Sequence, residues 1–103
     1  MNTSDIIRHR LIHQQIAATA FTTPAEMVRW LGAMQSQLFA MAKWAIGLRV
    51  PCLTDSDVEQ AFNKRKILRT HLLRPTWHFV HPADIRWMLQ LTGPRVHSVN
   101  AFM

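Results

Sequence analysis

Two glutamines separated by one residue, Gln35 and Gln37, are the side chains whose type and spacing could do chemistry. In an extended backbone, residues i and i+2 point to the same side, so both carboxamides would face one space. A carboxamide does not titrate near neutral pH and is no ordinary general base, but it accepts and donates hydrogen bonds. The pair could therefore hold and orient a water molecule. The alternative is that both are solvated polar residues at the end of a helix.

A second group of polar side chains lies in the tract KRKILRTHLLRPTWH, in which every formal charge is positive. Such a surface suits the phosphate backbone of DNA, and the chain as a whole carries a net charge of +6. Trp77 adds an aromatic face that could stack on a base, whereas the other tryptophans fall within apolar patterns and are expected in the core. A solvated basic face is the alternative. The candidate DNA-binding residues are Arg69, Thr70, His71, Arg74, Thr76, Trp77 and His78.

Other kinds of chemistry find little support in the 103 residues. The chain has no Walker loop and no GxGxxG, HExxH or CxxC motif, and His9 and His13 have no cysteine or carboxylate close by in sequence. We therefore expect no metal and no cofactor. The single cysteine, Cys52, excludes an internal disulfide, and no apolar run approaches the eighteen or so residues of a membrane span. The default expectation is a cytoplasmic protein with no membrane partner.

Helices and one hairpin must position these residues. Apolar spacing and capping signals predict helices over residues 5–20, over residues 24–34, over residues 38–48, after a cap at Thr54, and from Pro82 to Gly93-Pro94. The segment LFAMAKWAIGL is apolar on almost every side and is expected to be a buried core helix. ILRTHLL and TWHFV predict a β-hairpin. This order predicts one winged helix-turn-helix domain over residues 1–103, mainly α with a small β-hairpin.

Two blocks carry a family resemblance: MQSQLFAMAKWAIGLR at residues 34–49 and RTHLLRPTWHFVHPADIRWMLQLTGPRV at residues 69–96. They closely resemble the winged-helix DNA-binding family that contains the crosslink-unhooking, AlkZ-like DNA glycosylases. The resemblance implies a tandem array of winged-helix domains, of which this chain would be the N-terminal portion. The implied partners are double-stranded DNA and the remaining winged-helix domains of the same protein.

The resemblance also implies a reaction. The family's catalytic motif, two glutamines separated by a hydrophobic residue, falls on Gln35 and Gln37, with Ser36 in place of the hydrophobic residue. The implied reaction is hydrolysis of the N-glycosidic bond of N7-alkylpurines or crosslinked bases. Because an alkylated purine is cationic and leaves readily, placing the water would be the main task. The full-length protein would be a monofunctional glycosylase, and the isolated fragment is expected to be inactive.

Two other functions stay open. The chain could be a non-catalytic winged-helix DNA-binding module or regulator, in which the glutamines play no part. It could also be a scaffold that docks other domains through its apolar helices.

Overall fold

Helices make up most of the structure, and short strands complete it. The computed structural model describes residues 2–73 and 76–100, and of residues 96–100 it describes the backbone alone. Within this part of the chain the helices are α1 (Thr3–His13), α2 (Pro24–Leu31), α3 (Phe39–Arg49), α4 (Asp55–Asn63) and α5 (Ile85–Asn100). The strands are β1 (Ala33–Gln35), β2 (Leu68–Leu73) and β3 (Thr76–Val80). The predicted fold class, mainly α with a small amount of β-structure, is confirmed, and the arrangement is compatible with a winged helix-turn-helix.

The strands form one antiparallel sheet in the order β1-β3-β2. The hairpin of β2 and β3 is confirmed, with Leu68 opposite Val80. Strand β1 was not predicted, and it places Met34 opposite Phe79 on the other edge of β3. Three residues are too short a run to show the alternation that identifies a strand. The hairpin therefore belongs to a larger sheet that also contains β1.

Helix starts follow the predicted capping signals. The Thr23 hydroxyl accepts a hydrogen bond from the Glu26 N–H, and Pro24 is the first residue of α2. Thr54 and Asp57 form a reciprocal capping box at the start of α4. The bonds that Asp57 accepts from Thr54 lower the pKa of its carboxyl group. Both predicted caps are confirmed.

The predicted boundaries of three helices were wrong. Helix α1 ends at His13 rather than near Ala20, because Gln15 turns to a φ of 60° and the chain leaves the helix there. Helix α2 ends at Leu31 rather than Met34, because Gly32 adopts a φ of 84°. Helix α5 starts at Ile85 and contains Pro94, so it does not end at Gly93-Pro94.

The core lies on both faces of the sheet. One cluster joins α2, α3 and α4 to the sheet, and a smaller one lies between the sheet and α5. The larger cluster contains Met27, Val28, Met34, Ala42, Ile46, Val50, Val58, Ile67 and Phe79. The smaller cluster contains Leu72, Val80 and Met88. The segment from Gln35 to Phe39 therefore leaves the sheet beside the larger cluster.

Much of α3 is not buried, contrary to expectation. The helix packs against α2 and α4 on one side, where Ala42 and Ile46 are buried. Met41 and Leu48 are exposed, and Trp44 is 60% exposed. Trp30 and Trp87 are exposed as well, so the expectation that these tryptophans lie in the core was wrong. No helix in the described part of the chain is long and apolar enough to cross a membrane.

Candidate functional site

The two glutamines flank a buried serine where β1 ends. Gln35 is the last residue of β1 and lies opposite His78, and both Gln35 and Gln37 are exposed. Ser36 between them is only 1% exposed. The Ser36 N–H donates to the Trp77 carbonyl oxygen at 2.8 Å, which continues the β1–β3 pairing by one residue. The sheet thus presents both carboxamides to solvent and turns the residue between them inward.

The Gln37 carboxamide is fixed by a backbone group of β3. The Trp77 N–H donates to Gln37 Oε1 at 2.9 Å. In a regular antiparallel pair that N–H would donate to the Ser36 carbonyl instead, so the Gln37 side chain replaces a main-chain acceptor. Because an N–H requires the oxygen of the amide, the bond also determines which way the carboxamide is turned. One lone pair of Oε1 and the two N–H donors of Gln37 remain for other partners.

The Ser36 carbonyl oxygen receives no hydrogen bond from the Trp77 N–H. It accepts hydrogen bonds from Arg69 instead. Arg69 Nε and Nη2 lie 3.1 and 2.8 Å from the Ser36 carbonyl oxygen, and Nη2 lies 3.2 Å from that of Gln37. The guanidinium carbon lies 4.9 Å from the centroid of the Trp77 ring and 5.8 Å from that of Phe39. We refer to these contacts together as the Arg69 clamp. They connect residues 35–37, which we call the two-glutamine segment, to β2 and β3.

Two histidines lie next to the clamp on opposite faces of the sheet. The His71 ring is 3.6 Å from the Trp77 ring, centroid to centroid, and His71 Nδ1 lies 3.3 Å from the Thr76 carbonyl oxygen. His78 lies between Gln35 and Thr70 in the strand register. Burial lowers the pKa of His78, a backbone hydrogen bond with Thr76 opposes this, and the charge of His71 lowers the pKa further. His78 Nδ1 is buried and has no hydrogen-bond partner within the described residues.

The sheet divides the predicted DNA-binding residues between its faces. Side chains alternate along a strand, so Arg69, His71 and Trp77 share the face of Phe79 and the larger core cluster. The other face, covered by α5, carries Thr70, Thr76 and His78. Arg74 lies outside the described residues. The structure thus brings Arg69 and Trp77 to Gln37 and brings His78 to Gln35, and contact with DNA stays a prediction for all of them.

Charge is distributed unevenly along α4 and the segment that follows it. Three of the six acidic residues of the chain, Asp55, Asp57 and Glu59, lie on α4. Asp55 Oδ2 lies 3.1 Å from Lys43 Nζ, and the Glu59 carboxylate lies 3.9 Å from the same atom. The run Lys64-Arg65-Lys66 beyond the end of α4 is exposed. The start of α4 is therefore negative and the approach to β2 is positive.

Sequence reasoning named Arg69 as a DNA contact and did not anticipate its bonds with Ser36 and Gln37. Those bonds join residues 33 and 32 positions apart, and helix or strand periodicity carries no information about contacts of that range. Sequence reasoning also did not identify Phe39 as a contact of Arg69, because Phe39 lies within the apolar run LFAMAKWAIGL. No signal in the sequence distinguishes a phenylalanine that faces an arginine from one that only packs in the core.

A comparison with protein families relates the site to known proteins. The family model described as DNA glycosylase AlkZ-like matches residues 28–101. The matched span contains both glutamines, Arg69 and the hairpin, whereas α1 lies outside it. Comparisons with curated proteins and with solved structures found no match.

Proposed function

The chain belongs to the AlkZ-like DNA glycosylase family, and from this membership we propose that its protein removes alkylated bases from DNA. The reaction is hydrolysis of the N-glycosidic bond, and Gln35 and Gln37 are the proposed catalytic residues. One observation carries the assignment: two exposed carboxamides lie at a strand end, and that of Gln37 is held by the Trp77 N–H. Catalytic groups gain most from such fixed positions, because orientation is obtained before the substrate binds.

The chemistry needs little more than a well-placed water. An N7-alkylated purine carries a positive charge, so it leaves as a neutral base when it takes the electron pair of the bond to the sugar. The water oxygen forms the new bond to the anomeric carbon, and a proton of that water passes to solvent. Gln35 Oε1 accepts one hydrogen of the water, and the second lone pair of Gln37 Oε1 accepts the other. With both hydrogens held, a lone pair of the water faces the sugar.

Ser36 departs from the hydrophobic residue of the family motif, but its position limits the effect. The side chain is buried and its hydroxyl has no hydrogen-bond partner among the described residues. A buried spacer shapes the packing beneath the glutamines and does not reach the substrate. The substitution therefore bears on stability more than on the exposed pair.

Binding would be electrostatic and indifferent to sequence. The exposed run Lys64-Arg65-Lys66 leads into the hairpin that carries Arg69 and Trp77. Lysine and arginine side chains neutralise phosphates and release counterions, which gives affinity without reading bases. We propose that double-stranded DNA lies along this basic segment, and that further winged-helix domains of the same protein extend the surface.

The test is base excision by the full-length protein. A duplex with a single N7-methylguanine is incubated with the protein, and abasic sites are cleaved with alkali and counted. An unmodified duplex of the same sequence is the control. We expect strand breaks at the lesion only. DNA binding with no excision of the lesion would instead support the non-catalytic DNA-binding module.

A further inference from the structure

The end of β1 carries an irregularity that requires a partner. Register 33–80, 34–79 and 35–78 continues to Ser36 and Trp77, but only one of the two main-chain bonds of that pair forms. The Trp77 N–H donates to the Gln37 side chain, so the Ser36 carbonyl oxygen accepts no hydrogen bond from β3. A main-chain carbonyl beside the buried Ser36 side chain must find another donor. Arg69 supplies it with two N–H groups.

Arg69 is itself held by its surroundings. Its guanidinium lies near the aromatic rings of Trp77 and Phe39, at 4.9 and 5.8 Å. A planar guanidinium near aromatic rings keeps its donors in a fixed fork, and a lysine ammonium lacks both the plane and the fork. Arg69 therefore holds the two-glutamine segment in a fixed position against β3.

We propose that Arg69 is a positioning residue of the two-glutamine site, which acts by holding the Ser36–Gln37 backbone so that the Gln37 carboxamide stays on the Trp77 N–H. This inference rests on the proposed function for its effect on catalysis, but the contact itself can be measured without any reaction. Arg69 does not need to touch DNA to act in this way. Its donors are directed at two carbonyl oxygens of its own chain.

A double-mutant cycle measures whether Arg69 acts through Gln37. Single-turnover excision of N7-methylguanine is compared for the full-length wild type, Arg69→Met, Gln37→Ala and the double variant. Arg69→Met is expected to lower the rate about ten- to a hundredfold, the range for a displaced catalytic group. If the two residues act as a unit, adding Arg69→Met to Gln37→Ala lowers the rate little further. Arg69→Lys, which keeps the charge without the fork, is expected to recover only part of the rate.

Amide hydrogen exchange measures the contact directly. The Trp77 amide is protected in the wild type by its bond to Gln37 Oε1. We expect Arg69→Met and Gln37→Ala each to speed exchange at this amide, while amides of α2 keep their protection. Arg29→Met, at an exposed position on α2, is the matched control for loss of an arginine.

The outcomes test the positioning role of Arg69 and the proposed glycosylase function separately. Faster exchange at Trp77 in Arg69→Met with non-additive losses of rate supports the positioning role. Unchanged exchange at Trp77, or losses of rate that multiply, would overturn it. A wild type that excises nothing ends the proposed glycosylase function and with it the catalytic role of Arg69, whereas the exchange result still shows whether Arg69 holds Gln37.

Discussion

Gln35 lies directly opposite His78 in the antiparallel pairing of β1 with β3, and the two side chains share one face of the sheet. Burial lowers the pKa of His78, so the ring beside Gln35 takes up its proton at a lower pH than an ordinary histidine does. The pairing therefore connects the site to a residue that responds to acid.

The first prediction concerns the pH dependence of stability. In the unfolded chain a histidine titrates near 6.5, whereas in the fold His78 takes up its proton only at lower pH. As the pH falls below the unfolded value, the unfolded state binds the proton first, so the free energy of unfolding decreases until the folded pKa is passed. We expect thermal melts between pH 8 and pH 5 to show this fall, and His78→Gln to reduce it. His9→Gln, on the exposed α1, is the control, and an equal fall in His78→Gln would contradict the prediction.

A second prediction follows from the buried hydroxyl of Ser36. Ser36 Oγ has no partner among the described residues, and an unsatisfied buried polar group costs about 1–3 kcal/mol. Ser36→Ala removes that group without adding volume, and we expect urea unfolding to show a gain of about 1 kcal/mol. Ser56→Ala, at an exposed position on α4, should change stability by less than about 0.5 kcal/mol. A destabilised Ser36→Ala would mean that the hydroxyl has a partner after all.

Alanine variants of the two glutamines are predicted to differ in their effect on stability and to agree in their effect on activity. Gln37→Ala removes the acceptor of the Trp77 N–H and is expected to cost about 1 kcal/mol, whereas Gln35→Ala removes an exposed side chain at little cost. Both variants should lower single-turnover excision by roughly ten- to a thousandfold, as for loss of a hydrogen bond to the attacking water. Urea unfolding and alkaline cleavage measure the two effects on the same preparations. Full excision by both variants would exclude a catalytic role.

A fourth prediction tests the basic segment before the hairpin. Lys64 and Lys66 are exposed, and their replacement by Gln should weaken binding to duplex DNA while leaving the fold intact. Removing one lysine–phosphate interaction makes the slope of log affinity against log salt shallower by about 0.9, so the double variant should change it by up to about 2. Arg65 is left in place because its φ of 61° would add a backbone effect to any substitution. Arg29→Gln is the control, and an unchanged salt slope in the double variant would show that these lysines do not contact DNA.

Local features of this fold could be predicted from the sequence, and features that depend on distant contacts could not. The caps at Thr23 and Thr54 involve residues three positions apart, so the start signals of α2 and α4 were sufficient. The hairpin was equally accessible because its strands are adjacent in sequence. Strand β1 exists only through its pairing with β3, and three residues carry no pattern of their own.

The candidate site shows the same division. The spacing of Gln35 and Gln37 was enough to suggest a hydrogen-bonding pair, and the family to which the chain belongs is confirmed. The bond from the Trp77 N–H to Gln37 and the Arg69 clamp depend on how β3 and β2 meet the end of β1. The exposure of Trp44 was missed for a related reason: an apolar run indicates which residues could be buried, but not how many neighbours cover them.

The charges of α4 have a consequence for how the protein would search DNA for damage. On the proposed function, phosphates would be repelled by the start of α4, where Asp55, Asp57 and Glu59 outnumber their partner Lys43, and attracted by the lysines beyond the other end of the same helix. A duplex that followed this field would meet the hairpin side first and would lie away from the start of α4. Contacts made only with phosphates allow sliding along the duplex. Selectivity would then come from the damaged base itself. Its weakened bond to the sugar would distinguish it from the intact bases that pass the same two glutamines.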